Sequence, residues 1–460
     1  MINVGKNIAG WANLKFAAMV EHPRMPMVSR CEIRWSAILR VVALALTTIS
    51  GPAFAQNWIM ELPDHSPPAR YAGAMVNDGA NGLVVLFGGD GGLALFSDTW
   101  SWDGADWTQE SPKHRPSARY GFAMAYDAAH GKVVLFGGFD VSTRFCSDTW
   151  TWDGTDWTQE TPVTSPPART YPAMKYDAAR GQVVLFGGLG SDNSTFGDTW
   201  LWNGKNWIQA EPGTSPSARQ SGSMAYDAAN DKIVLFGGRD ATEAFLNDTW
   251  EWDGSNWVQQ NPPISPSPRQ LPGMAYDSVE SEVVLFGGND DSGTSLSDTW
   301  QWDGNKWTRQ TPSDFPSARD GVAMAPDARG NVVMFGGYNF GDDAYFSDTW
   351  VWAKGPGVSL NPTKLSFGKQ KVKTNSKAQA VKVTNSGINT LSIHSFSFTG
   401  SDPKDFAESN NCHGSLKPGF SCTIDVTFKP TAKGSRSAKL VIKDNGQNGS
   451  QNISLSGTGD

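Results

Sequence analysis

The chain offers few side chains that could act as a nucleophile or hold a metal. Between residues 56 and 353 there are three histidines, His65, His114 and His130. None stands at the His-x-x-x-His or His-Glu-x-x-His spacing that brings two imidazoles to one metal. Cys146 is the one thiol of that segment and has no histidine near it. No Gly-x-Ser-x-Gly elbow is present. Carboxylates remain. Asp290 with Asp291, and Asp342 with Asp343, are adjacent pairs that could bind Ca2+ or act as acid and base on a glycosidic bond. Adjacent acids on a loop are more often simply solvated, so the sequence calls for no metal and no cofactor.

Two charged sets recur in a fixed context. Arg70, Arg119, Arg169, Arg219, Arg269 and Arg319 each close a Pro-x-x-Arg segment. Asp98, Asp148, Asp198, Asp248, Asp298 and Asp348 each open an Asp-Thr-Trp triplet, at a spacing of 50 residues every time. A ring of arginines would suit an anion. Identical surroundings in every copy favour structure instead: an internal Arg–Asp pair, or a guanidinium stacked on a Trp. Met75, Met124, Met174, Met224, Met274 and Met324 recur in the same way and read as core.

These residues must be positioned by a repeated unit. After each arginine comes a six-residue segment with Met, a small turn, an apolar run into Phe-Gly-Gly (glycine pairs from Gly88, Gly137, Gly187, Gly237, Gly287 and Gly336), a variable stretch, then Asp-Thr-Trp-x-Trp and a lone Trp. A period near 50 with Gly-Gly and spaced aromatics means a propeller array. In the second unit the four strands read as Gly121–Tyr126, Lys132–Phe136, Thr149–Trp152 and Trp157–Gln159, with Asp153 and Gly154 as a two-residue hairpin. Val133 to Phe136 is continuously apolar, as expected of a strand covered on both faces. The lone Trp occurs at Trp107, Trp157, Trp207, Trp257 and Trp307 but is missing after Trp352. Trp58 supplies the sixth copy, so the N-terminal strand should complete the last blade.

Over residues 57–352 the paired glycines after an apolar strand, and the aromatic ahead of a second Trp, resemble the kelch family. The resemblance implies a β-propeller. The copper site of galactose-oxidase-type kelch propellers is not implied, because Cys146 lacks a neighbouring His. In such a ring, the loop before the first strand and the loop between the second and third strands share a face. The latter differ in every unit: Asp90–Phe96, Phe139–Ser147, Leu189–Gly197, Arg239–Asn247, Asn289–Ser297 and Tyr338–Ser347. The residue after each repeat arginine also varies: Tyr71, Tyr120, Thr170, Gln220, Gln270 and Asp320. A rigid ring presenting six different loops makes a binding face. Candidate contacts are Tyr71, Tyr120, Phe139, Arg144, Asn193, Arg239, Glu243, Asp290, Asp291, Tyr338, Asn339, Asp342 and Tyr345.

The ends of the chain differ from its middle. Arg30, Arg34 and Arg40, the apolar run Val41 to Ile49, and small residues up to Ala55 describe a secretory signal peptide over residues 1–55, cleaved before Gln56. The propeller is expected over 56–353, a Gly-Pro-Gly linker over 354–358 and a β-sandwich over 359–460. Residues 56–357 hold 19 Lys/Arg against 38 Asp/Glu, and residues 358–460 hold 13 against 6. So acidic a repeat region argues against nucleic acid. In an oxidising compartment Cys412 and Cys422 read as a disulfide closing a short loop. Alternating segments Lys364–Phe367, Ala380–Val383, Leu391–Phe398, Cys422–Phe428, Lys439–Ile442 and Ile453–Leu455 indicate the sandwich. Leu365 with Phe367, Val383 with Asn385 and Gly387, Pro418 with Gly419 and Cys422, and Leu455 with Gly457 and Gly459 resemble the immunoglobulin-like ASPM/SPD-2/Hydin family, especially its choice-of-anchor D version. That resemblance implies a spacer or surface-association role.

The sequence thus describes an all-β chain: a six-bladed kelch propeller closed by its N-terminal strand, then an immunoglobulin-like sandwich. It should be secreted (extracellular, periplasmic or cell-surface associated), monomeric, and free of a membrane span after cleavage. Its partner should be an extracellular glycan or protein rather than nucleic acid. The alternatives are a carbohydrate-active hydrolase, lyase or epimerase, and a structural surface component.

Overall fold

The computed structural model describes residues 56–460 apart from Ser313, Ile388, His413, Gln447 and Asn448, so the signal peptide expected over residues 1–55 lies outside the described residues. Six four-stranded antiparallel sheets follow one another along the chain. In the second blade the strands run Ala123–Asp127, Lys132–Phe136, Thr149–Trp152 and Trp157–Glu160 from the axis outward. The second strand is apolar throughout because neighbouring blades cover both of its faces: Val133, Val134, Leu135 and Phe136 are fully buried. The paired glycines let the chain turn against the next blade. Gly137 has φ 72°, and a Cβ there would lie 2.7 Å from the Arg169 carbonyl oxygen.

Two local readings change. Trp152 faces Trp157 across the outer hairpin, so the turn has four residues, Asp153 to Asp156, rather than two. The Asp153 carboxylate accepts from the N–H groups of Thr155 and Asp156, which makes the longer turn self-supporting. The inner strand begins at Ala123 rather than Gly121, because Gly121 adopts φ 62° and cannot continue a strand.

Gln56–Glu61 pairs antiparallel with Thr349–Lys354, Trp58 opposite Trp352, and completes the sixth blade. This closure also completes a circle of side-chain bonds that explains the triplet. The lone Trp of each blade donates its Nε1–H to the triplet Thr of the preceding blade. Trp107 reaches Thr349, Trp157 reaches Thr99, and so on round to Trp58, which reaches Thr299, at 2.9–3.0 Å. The same Trp packs on the phenylalanine of the preceding Phe-Gly-Gly at 5.2–5.3 Å between centroids. The triplet Asp is bound within its own blade. Each repeat arginine grips it through Nη1 and Nη2, with Nη1–carboxylate distances of 2.5–2.8 Å. The first triplet Trp donates to the same carboxylate at 2.6–2.8 Å. Where a guanidinium stacks, it does so on a phenylalanine and not a Trp: Arg70 on Phe96, Arg169 on Phe196, Arg319 on Phe346. The six methionines lie in the apolar clusters between blades.

The C-terminal part is a sandwich of two sheets. One carries Val358–Asn361, Gln379–Asn385, Ser421–Phe428 and Phe406–Asn410 in that spatial order. The other carries Lys364–Gln370, Ser450–Gly459, Gly434–Asp444, Leu391–Thr399 and Ser415–Leu416. Their inner faces bury Val381, Ile424, Phe428, Leu440 and Ile453 among others. A disulfide joins Cys412 to Cys422. Gly355, Pro356 and Gly357 are buried rather than strung through solvent. The Asn389 amide fastens the sandwich to the propeller, donating to the Lys354 carbonyl at 2.7 Å and accepting from Asn331 of the sixth blade at 3.2 Å.

Candidate binding face at the mouth of the axis

Each chain segment between a repeat arginine and the inner strand turns at one residue near the axis. That residue is Ala72, Gly121, Tyr171, Ser221, Leu271 or Gly321, and all six have φ between 50° and 62°. Four of them are not glycine, so the left-handed conformation is imposed by their surroundings. What imposes it is a closed hexagon of backbone hydrogen bonds. The N–H of each donates to the carbonyl of the equivalent residue one blade back, Gly121 to Ala72 and round to Ala72 to Gly321, at 2.5–3.0 Å. The hexagon fixes the residues beside it relative to one another across the whole ring.

On this frame the variable residues divide by side. Blades six, one and two, with Tyr171 at the entry to blade three, carry linked aromatic rings. Phe145 meets Phe139 at 5.8 Å, Phe139 meets Tyr120 at 5.5 Å, and Tyr120 meets Tyr171 at 6.0 Å. Tyr171 is hydrogen-bonded through its hydroxyl to Tyr71. Tyr71 meets Tyr338 at 5.9 Å, and Tyr338 touches Tyr345 at 4.7 Å and Phe340 at 6.2 Å. The result is an arc of eight rings. Arg144, at φ 70°, lays its guanidinium 5.9 Å from the Phe139 ring. Exposed apolar side chains stand at the tips of the same three blades: Leu93 at 103%, Val141 at 75% and Phe340 at 64% accessibility.

The remaining candidates serve their own loops. Asp290 accepts from Ser292 and Thr294 N–H groups, and the Ser292 hydroxyl together with these backbone bonds holds its carboxyl below the usual range against a slight opposing effect of burial. Asp291 is exposed beside it. Arg239 pairs with Glu243 at 2.8 Å. Asn193 occupies a tight turn at φ 63°. Asn339 donates to the Ala318 carbonyl and accepts from the Asp342 N–H, while the Tyr338 hydroxyl donates to Asp343 at 2.8 Å. Asn193, Arg239, Glu243, Asp290 and Asp291 therefore sit on blades three to five, apart from the arc. Among the described residues no group of three His, Cys, Asp or Glu is placed to hold a metal ion.

Sequence reasoning missed two residues at the centre. Tyr171 stands one place beyond the variable position, and its register at the hexagon is the only signal for it. Asp320 was visible as a variable residue but not as a buried one. It is 2% exposed, and burial pushes its carboxyl up to about 7 against hydrogen bonds from Ser295 and Asn289. Two cavities run down the axis, of about 100 and 140 Å3, sharing Gly73, Pro172, Gly222, Pro272 and Val322 in their walls. A cleft of about 580 Å3 lies elsewhere, between the sixth blade and the sandwich, with Glu61, Arg329 and Lys417 in its walls. Burial raises the Glu61 carboxyl there to about 7, opposed by Arg329.

Repeat, closure and face define a six-bladed propeller of the kelch type joined to a β-sandwich. Residues 173–379 match the family model described as the KLHDC2/KLHL20/DRC7 Kelch-repeats domain. Residues 355–460 match the model for Cep192 domain 4. Among solved structures the chain is similar to one titled "Structure of YjhT", at a TM-score of 0.50 and 14% identity, over 65% of this chain and 97% of that one. No curated protein matches it.

Proposed function

We propose that this is a secreted binding protein whose loop face takes a protein partner on the aromatic arc of blades six, one and two. The observation that carries this reading is the combination of a fixed ring array with Leu93, Val141 and Phe340 exposed beside it. Rigid aromatics flanked by exposed aliphatic side chains are what a protein interface needs at its centre. A sugar would use the rings but leave Leu93 and Val141 without a partner. The acidic repeat region favours a partner that is basic or neutral outside its apolar contact. The leader sequence and the Cys412–Cys422 disulfide support an oxidising compartment. Among the described residues no helix is long and apolar enough to cross a membrane. The sandwich then serves as spacer or surface-association module. The rival reading, a carbohydrate-active enzyme, needs paired carboxyl groups across a cavity. The walls of the axial cavities contain no carboxylate.

A peptide library selected on the full chain, run beside a glycan array, tests the proposal. Binders should lose at least about tenfold in affinity with Phe340→Asp or Leu93→Asp, in line with interface anchors. Glu243→Ala, on blade four, should leave binding unchanged. Glycan binding insensitive to Leu93→Asp, or peptide binding mapped to the loops of Asn193, Arg239 and Asp290, would overturn the reading.

A further inference from the structure

The sandwich carries its positive charge unevenly. Residues 358–460 hold 13 Lys/Arg against 6 Asp/Glu. Six of the lysines fall in three connections. Lys371, Lys373 and Lys377 lie between Lys364–Gln370 and Gln379–Asn385, Lys404 lies just ahead of Phe406–Asn410, and Lys429 and Lys433 lie between Ser421–Phe428 and Gly434–Asp444. Strand pairing gathers these connections at one end. Asn385 pairs with Val358 at the junction with the propeller, whereas Gln379, at the far end of the same strand, pairs with Val426 near the lysines. Backbone bonds then lock the connections to one another. The Lys373 N–H donates to the Pro430 carbonyl and the Ser376 N–H to that of Phe428, both at 2.8 Å, and the Lys429 N–H donates to the Asp405 carbonyl at 2.7 Å.

All six lysines are exposed. The acids beside them are taken: Asp402 and Asp405 both grip Arg436, at 2.8 and 2.5 Å. Among the described residues none of the six lysines takes part in an ion pair. A surface charged only for solubility intersperses both signs. What the tip lacks decides the class of partner. A protein interface needs aromatic or aliphatic anchors at its centre, and a stable hold on a bilayer takes an apolar group beside the basic patch. Among the described residues of the sandwich the one large apolar side chain left exposed is Phe420, and it lies at the opposite end, where its carbonyl accepts from the Asn385 N–H. Nucleic acid is held by arginine forks and stacked aromatics. Arg436 is the sandwich's one arginine, and it is spent on its two aspartates. Lysine ammonium groups alone suit a hydrated polymer of point charges.

We propose that this lysine tip binds an acidic polysaccharide. The proposal rests on the reading of the sandwich as a surface-association module and names what it associates with. The propeller, with 38 acids against 19 basic side chains over residues 56–357, is repelled by the same polymer. The chain is thus held by its basic end, and the propeller stays clear for its own partner.

The test measures binding of the full mature chain to immobilised polygalacturonate, beside neutral dextran, oligo(dT) and phosphatidylglycerol vesicles. Counterion release costs about 0.7 log units of affinity per log unit of salt for each lysine engaged, so four engaged lysines predict about a fiftyfold loss between about 50 and 200 mM salt. The variant Lys371→Ala, Lys377→Ala, Lys433→Ala should lose at least about tenfold at the lower salt. The variant Lys364→Ala, Lys382→Ala, Lys443→Ala removes the same charge from exposed positions elsewhere on the sandwich and should lose less than about twofold. Melting curves check that both fold. Equal losses in the two variants, no binding to polygalacturonate at the lower salt, or tighter binding to oligo(dT) or to the vesicles would overturn the proposal. Retention on the producing cells separates it from the reading beneath it. Wild type retained there without binding polygalacturonate would sink the tip and leave surface association standing. Polygalacturonate binding that only the tip variant loses, with no retention on the cells, would uphold the tip and sink surface association.

Discussion

Replacing Trp58 by alanine should cost this protein as much as breaking a covalently continuous blade. Trp58 is 1% exposed, donates to Thr299, and packs its ring 5.3 Å from Phe286 and 5.5 Å from Trp352. Truncating a buried Trp removes about 3–5 kcal/mol. The loss of its N–H leaves the buried Thr299 hydroxyl without that donor, which adds about 1 kcal/mol. The sum is about 4–6 kcal/mol. A propeller of about 300 residues has an unfolding entropy near 0.6 kcal/mol per kelvin, so the melting temperature should fall by about 6–10 °C. Calorimetry of Trp58→Ala beside Trp207→Ala gives the comparison, because Trp207 has the same partners (Thr149 and Phe136) but belongs to a strand joined to its blade by a hairpin. If the N-terminal strand truly closes the ring, the two variants should fall together. A shift under about 2 °C for Trp58→Ala beside a full shift for Trp207→Ala would refute the reasoning, since Trp58 would then sit on a strand the fold can dispense with.

Other expectations follow from the buried charges and the disulfide. Arg169→Ala should cost about 3–5 kcal/mol in denaturant unfolding, because it leaves the Asp198 carboxylate without its bidentate partner; a loss under 1 kcal/mol would count against it. Asp98, Asp148, Asp198, Asp248, Asp298 and Asp348 are desolvated, which alone would raise them, yet their arginines hold all six below the ordinary aspartate value. Their stabilisation is thus present above about pH 4 and is lost as pH falls through the lower folded values, which acid titration of the fold would show as a steep drop confined to that range. Asp320 has the opposite sign: raised to about 7 by burial, it penalises the fold above pH 7 and is relieved as pH falls toward 4. Asp320→Asn should therefore stabilise the protein by about 2–4 kcal/mol at pH 8 and much less at pH 4; equal effects at both would show that the carboxyl ionises freely. Cys412→Ser opens a short loop and should lower sandwich stability by about 2–3 kcal/mol without moving the propeller transition.

The architecture was readable because each repeated residue performs one task six times. Phe-Gly-Gly, Asp-Thr-Trp and the lone Trp recur at a fixed period, and the missing copy after Trp352 pointed to Trp58. The face was less readable. Tyr71 and Tyr338 are neighbours only because the ring closes between the first and last blades, and no local pattern announces a contact across 267 positions. Tyr171 escaped notice because the left-handed turn at the hexagon is set by hydrogen bonds between blades, which leave no mark on a single repeat. In the sandwich, Val358–Asn361, Phe406–Asn410 and Ser415–Leu416 were passed over, being short and mostly polar, with pairing supplied by longer neighbours. Asp290 and Asn339 looked like ligand contacts, yet a side chain that folds its own loop carries the same letters as one that reaches a partner.

The hexagon at the mouth has a consequence for how the molecule comes apart. A ladder can unzip from its last rung; a loop of bonds has no last rung. Detaching any one blade at the axis severs two of the six links at once and strands a carbonyl and an N–H away from water. Partial loosening should therefore be rare, and a protease would meet either the whole wheel or a fully opened chain.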